Sequence, residues 1–237
     1  NLADVARRTP SFSGADLENL LNEAALLAAR ENSREIKIYH IDEAVDRVMM
    51  GPAKKSRKYT DTEKALTAYH EAGHAVIGIK LKHAHKVQKV TIIPRSYAGG
   101  YAMMIPKEEK YTSTKKELLE RITGLLGGRV AEEITFNEVT TGAHDDFKKA
   151  TKIARKMVTE YGMSSLGPMM LDEPSENTFL GRDYHKNKNF SDIVAHEIDE
   201  EMRDIIRTCY ENSKKILNEN KDLLKLIAET LLEEETI

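Results

Sequence analysis

The stretch TAYHEAGHAVIG, residues 67–78, decides how this chain is read. His70 and His74 stand four apart, Glu71 follows the first, and Gly73 and Gly78 sit where a helix least favours them. Residues four apart on a helix share a face, one turn up, so both imidazoles can meet one ion from a single rigid element. Glu71 lies about 100° round the axis, beside such an ion, where it can hold and deprotonate a water without becoming a ligand. Zinc suits the arrangement: it accepts imidazole and carboxylate, does no redox chemistry and acidifies water.

The flanks strengthen the reading. Ala68, Ala72, Ala75, Val76 and Ile79 make the helix largely apolar, and burying two imidazoles and a carboxylate there without partners is costly. Each glycine costs a helix about 1 kcal/mol relative to alanine, a cost that close approach of another backbone or a substrate explains. The competing reading is a helix carrying two incidental histidines among the chain's eight, and it accounts for none of this.

A catalytic zinc normally takes three protein ligands and a water, so one ligand is still to be found. Lys80 occupies the position where a third histidine would follow in a metzincin. Two later segments offer carboxylates: GGRVAEEI with Glu132 and Glu133, and TTGAHDDF with Asp145 and Asp146. Either pair also has an ordinary reading, as solvated helix charges or as acids complementing a helix N-terminus. Spacing does not choose between them.

The remainder of the 237 residues reads as mainly helical. Ser13 with Asp16, Thr60 with Glu63 and Thr114 with Glu117 each form a capping-box pattern ahead of an apolar run. Leu17, Leu20, Leu21, Ala24, Leu27 and Ala28 form one stripe, and HIDEAVDRVMM ends at Gly51-Pro52. The basic run PAKKSRK then reads as a solvated linker, which places a boundary at 52–58 between a unit at 1–51 and one at 59–237. VQKVTIIP and GGYAMMI are strand candidates, joined through RSYA as a hairpin. Helices follow at about 144–160, 191–218 and 221–234, with a loop rich in Pro, Gly, Ser and Asn over 162–189. Near balance of 36 basic and 39 acidic residues gives no field that recommends nucleic acid. The lone Cys209, flanked at helical spacing by Ile205, Ile206 and Ile216, reads as a buried, inert thiol. No run of about 18 apolar residues exists to span a bilayer.

Taken together, YHEAGHAV, GGRVAEE, TTGAHDDF, ATKIARKMVTEYGMS and FLGR, with TPSFSGADLENLLNEAALLAAR near the start and LLEEET at the end, resemble the FtsH-type membrane-anchored AAA+ zinc proteases. The resemblance covers essentially the whole chain. It implies a helical AAA+ lid over 1–51 and a largely helical zinc protease domain over 59–237 with a small hairpin. It further implies His70, His74 and Asp146 as zinc ligands and Glu71 as catalytic base. One departure touches the site: Asp145 stands where the family usually has asparagine. The resemblance places Gly14 and Ala15 beside a nucleotide, ATP with Mg2+, and implies polypeptide substrates, a homo-hexamer and a cytoplasmic-side membrane location. No G-x-x-x-x-G-K-[ST] phosphate loop occurs in the chain, so the sequence reads as the C-terminal part of a larger protein, its anchor lying elsewhere. The segment Gly99, Gly100, Tyr101, Ala102 and Met103 is read as an edge that pairs main chain with an extended substrate, the alternative being a strand covered by its neighbours. A helical assembly module with a structural metal is the rival; it has no use for Glu71 beside a three-ligand ion.

Overall fold

All three capping boxes form. Ser13, Thr60 and Thr114 each accept from the backbone N–H three residues on, and Asp16, Glu63 and Glu117 answer from that position. They start α2 (Gly14–Arg30), α4 (Asp61–Lys80) and α5 (Lys115–Phe136). The other helices are α1 (Leu2–Arg8), α3 (Ile38–Met50), α6 (His144–Thr159), α7 (Asp192–Glu219) and α8 (Lys221–Glu234), with a 3-10 turn at Thr141–Ala143. Two strands, β1 (Lys86–Thr91) and β2 (Tyr101–Ile105), pair antiparallel, so the fold is mainly α. This computed structural model describes residues 2–9, 12–54, 59–83, 85–96, 98–105, 110–171 and 190–237; FLGR, much of the 162–189 loop and part of the basic run lie outside them. No described helix is long and apolar enough to cross a membrane.

Helix α4 is the centre. It is buried without interruption from His70 to Gly78, covered by α5, α8 and the hairpin. Ala68, Ala72, Ala75, Val76 and Ile77 join Val90, Val130, Leu217, Leu224 and Leu231 in one core. Ile79, expected on the apolar face, is instead 56% exposed near the end of the helix. On α2 the apolar stripe is narrower than its sequence suggests. Leu20, Ala24 and Ala28 are buried against α3, whereas Leu17 and Leu21 face outward. Cys209 is buried in a third core among α5, α6 and α7, and burial pushes its thiol pKa up.

The hairpin is covered on both faces. Val87, Val90 and Ala102 pack toward α4, while Tyr101 and Met103 belong to the core of α2 and α3 with Leu20, Ala24, Ile41, Ala44 and Val45. Strand alternation makes this possible, since neighbours along β2 point to opposite sides. β1 is shorter than the 87–94 expected: the ladder with β2 ends at Thr91. There the C-terminal tail takes over. Val90 and Ile237 exchange N–H···O bonds of 2.9 Å each, and the Ile92 N–H donates to the Glu235 carbonyl at 3.0 Å.

Candidate active site

Helices α4 and α5 approach at glycine. A Cβ on Gly73 would lie 2.5 Å from the Gly127 carbonyl oxygen, and one on Gly128 would strike the His70 ring itself. This contact is what the helix-weakening Gly73 serves, and it brings α5 main chain and side chains within reach of both histidines.

Each imidazole is oriented through its Nδ1. His70 Nδ1 meets Glu132 Oε1 at 2.7 Å, and His74 Nδ1 meets the Gly124 carbonyl at 2.8 Å. With acceptors on that side, the Nδ1 atoms donate outward and the Nε2 atoms turn inward, where they can present lone pairs to an ion that displaces their protons. The two Nε2 atoms are 3.2 Å apart, and Asp146 Oδ2 lies 3.3 Å from His70 Nε2 and 3.4 Å from His74 Nε2. These three groups form a cluster whose ligand atoms all fall within 4.8 Å of one another. Two nitrogens and one carboxylate oxygen are the donor set of a hydrolytic zinc, so the residues fit that ion.

Glu132 links the parts. Its second oxygen, Oε2, accepts the Thr140 N–H at 2.9 Å, while Arg129 donates to the Thr140 carbonyl at 2.6 Å and stacks over Phe147 at 4.8 Å. The turn that delivers Asp146, in the first turn of α6, is thus pinned to the side chain that orients His70. Sequence reading had offered Glu132 as a candidate ligand. Its adjacency to GGRVA on the helix facing α4 is the only signal that could have marked it as an orienting group. Glu133 points elsewhere, accepting from Tyr210 and, at 2.8 Å, from Lys214. His144 and Asp145 are exposed and stand outside the cluster.

The charges are strongly biased. Burial alone would lower the His70 pKa, but Asp146 and Glu132 outweigh it and carry it up to about 10. Burial raises the carboxyls of Asp146 and Glu132, yet hydrogen bonds from His70, with His74 on Asp146 and the Thr140 N–H on Glu132, hold both below their ordinary range. Glu71 differs: burial pushes its pKa up, and His70 and His74 recover only part of the shift. A buried acid with a raised pKa beside a candidate ion site suits a general base.

Gly100 closes the site from the hairpin side. A Cβ there would lie 3.1 Å from Glu71 Cγ and 2.8 Å from the Thr91 carbonyl. The expected substrate segment therefore begins beside Glu71. The side chains of Tyr101 and Met103 turn away toward α2 and α3, and Tyr59 donates to the Gly99 carbonyl at 3.1 Å. Gly14 and Ala15 stand exposed at the first turn of α2.

A family model for peptidase family M41 matches residues 57–237, the part of the chain that contains the whole cluster. The chain belongs to peptidase family M41. An AAA+ lid domain model matches residues 1–43 ahead of the M41 region. Relatives of this M41 chain include proteins called ATP-dependent zinc metalloprotease FtsH. That of Acholeplasma laidlawii is 64% identical over 235 residues, covering 99% of this chain and 37% of the relative. Those of Alkalihalophilus pseudofirmus and Bacillus subtilis are 61% and 59% identical over 239 residues, covering all of this chain and 35% and 38% of theirs. The chain thus spans little more than a third of the length of these M41 relatives.

Proposed function

We propose that residues 59–237 form a zinc endopeptidase, joined through 52–58 to a lid-type helical unit at 1–51. The observation that carries the reading is the convergence of His70 Nε2, His74 Nε2 and Asp146 Oδ2, with a buried carboxylate, Glu71, one residue from the first ligand. His70, His74 and Asp146 hold the ion in this reading. Zinc, when bound, supplies Lewis acidity toward a peptide carbonyl and toward water. Glu71 takes the proton from the attacking water and returns it to the departing amine. Glu132 and the Gly124 carbonyl keep both Nε2 atoms aimed inward, and the apolar wall of α4 limits water around the base.

An extended polypeptide pairs with the outer edge of β2 at Gly99–Met103, where no other described strand lies. Because Tyr101 and Met103 face the lid unit, this pairing uses main chain and is tolerant of substrate sequence. As in the relatives' name, ATP enters through a motor. The lid unit, with Gly14 and Ala15 near the nucleotide, contributes one part of it within a homo-hexamer on the cytoplasmic face of a membrane.

Zinc content and cleavage of casein, each with and without a chelator, test the reading. One zinc per chain and cleavage that the chelator stops and zinc restores are expected. Cleavage indifferent to the chelator, or a chain that takes up no zinc, overturns it.

A further inference from the structure

The lid unit and the hairpin share a buried charge cluster that the chemistry above does not use. Asp46, on α3, is 2% exposed and Arg95, in the loop between the strands, 3%. Asp46 Oδ1 accepts the Tyr101 hydroxyl, and Oδ2 accepts Lys89 Nζ at 2.6 Å and an Arg95 guanidinium nitrogen at 2.9 Å. All three donors come from the hairpin. Arg95 also reaches Glu43 at 2.7 Å and the Gly51 carbonyl at 3.3 Å, which ties the end of α3 to the same loop. Strand alternation puts Lys89, Tyr101 and Met103 on this face, opposite Val90 and Ala102 on the α4 face.

Tyr101 follows Gly100 directly. Gly100 lies so close to the Thr91 carbonyl, Thr67 Cγ2 and Glu71 Cγ that even a methyl group there would meet all three within 3.1 Å. A displacement of Tyr101 by α3 is therefore passed, across one peptide unit, to the main chain over Glu71.

We propose that Asp46 is a positioning residue for the peptidase: through Tyr101 it sets where the main chain of Gly100 lies against Glu71, so that the position of the lid unit is felt where the substrate is aligned. The proposal rests on the peptidase reading above. It assigns β2 two simultaneous tasks, an edge for substrate and a contact for the lid, one carried by its main chain and the other by its odd-numbered side chains.

The test compares Asp46→Asn, Tyr101→Phe, the double variant and Leu27→Ala in the 237-residue chain. Leu27 packs in the same lid core and has no polar side-chain atom to join the charge cluster, so its truncation serves as the control for loss of stability. The measurements are zinc content, kcat and KM for a short unfolded peptide, and amide exchange over 99–105. Asp46→Asn and Tyr101→Phe should each raise KM about three- to tenfold, the net worth of one hydrogen bond, with kcat per bound zinc unchanged. The double variant should be no worse than either single one, because both remove one link. Exchange over 99–105 should quicken in these variants and not in Leu27→Ala. An unchanged KM in both single variants, or a KM that rises with falling Tm in Leu27→Ala, overturns the proposal. A wild-type chain that cuts no peptide sinks the peptidase reading instead; the exchange comparison then decides, and unaltered exchange in Asp46→Asn overturns the coupling.

Discussion

Among the described residues, two clusters of buried and partly buried ionisable side chains stand out, and their charges are balanced differently. Where the hairpin meets α3, Asp46 and Glu43 face Arg95 and Lys89, acid for base. Between α4, α5 and α6, three acids, Glu71, Glu132 and Asp146, converge on the two imidazoles of His70 and His74. In the first cluster each carboxylate faces a cation. The second carries surplus negative charge in a buried place, and without an ion the surplus is met by protons, which is why His70 is carried up to about 10. A compensated cluster suits a joint, and an uncompensated one suits a cation.

The largest effect that could break this contrast is catalytic. Glu71→Gln should leave zinc stoichiometry intact, since neither imidazole is touched, while hydrolysis falls by about 10²–10⁴-fold. Loss of the metal in that variant would make Glu71 a ligand. Removing one member of the balanced cluster comes next. Asp46→Ala leaves Lys89 and Arg95 short of a partner and should destabilise the chain by about 3 kcal/mol, read by denaturant unfolding, with zinc affinity unaltered.

The unbalanced cluster should respond in metal affinity. Glu132→Gln should weaken zinc binding by about 10–100-fold by loosening the grip on His70 Nδ1, and Asp146→Ala should weaken it further. Glu133→Ala, whose carboxylate is engaged by Tyr210 and Lys214, should leave it unchanged. A Glu133 variant that loses zinc would reassign the third ligand.

The smallest effect is on pH dependence. The folded pKa of His70 is above its ordinary 6.5, so its contribution to stability is full below about pH 6.5 and is lost as pH rises toward 10. That of Asp146 is below 3.8, so its contribution is present above that value and lost as pH falls. Thermal melts of the chelated chain should therefore peak between these limits, and zinc, replacing the proton on His70, should flatten the alkaline arm. An alkaline arm of the same slope with and without zinc would mean that the ion binds elsewhere.

Much of the fold was legible. The three capping boxes fixed where α2, α4 and α5 begin, and glycine and proline signals fixed where α3 ends. His70, Glu71 and His74 announced themselves because one helix carries all three. Asp146 did not, because a group 72 positions beyond His74 is brought in by tertiary packing, and only resemblance favoured it over the neighbouring acids. The role of Glu132 was hidden for the same reason. The pairing of the tail at Glu235–Ile237 was illegible because main-chain pairing leaves little pattern in side chains, and the bond from Tyr101 to Asp46 was illegible because the two lie 55 positions apart. Ile79, Leu17 and Leu21 were misplaced where a helix turns its apolar flank outward and no described neighbour covers it.

The glycine contact between α4 and α5 bears on how such a sequence can drift. Gly73 meets main chain, and main chain has no smaller version to retreat to; Gly128 meets the ring of His70, which Glu132 holds in place from its other side. A methyl at either position has no single compensating change elsewhere, since relief requires two helices to separate and the ring to leave the nitrogen and oxygen atoms it converges with. A volume-conserving swap in one of the cores costs little once its neighbours repack, but the spacing of these two helices is inherited whole or lost.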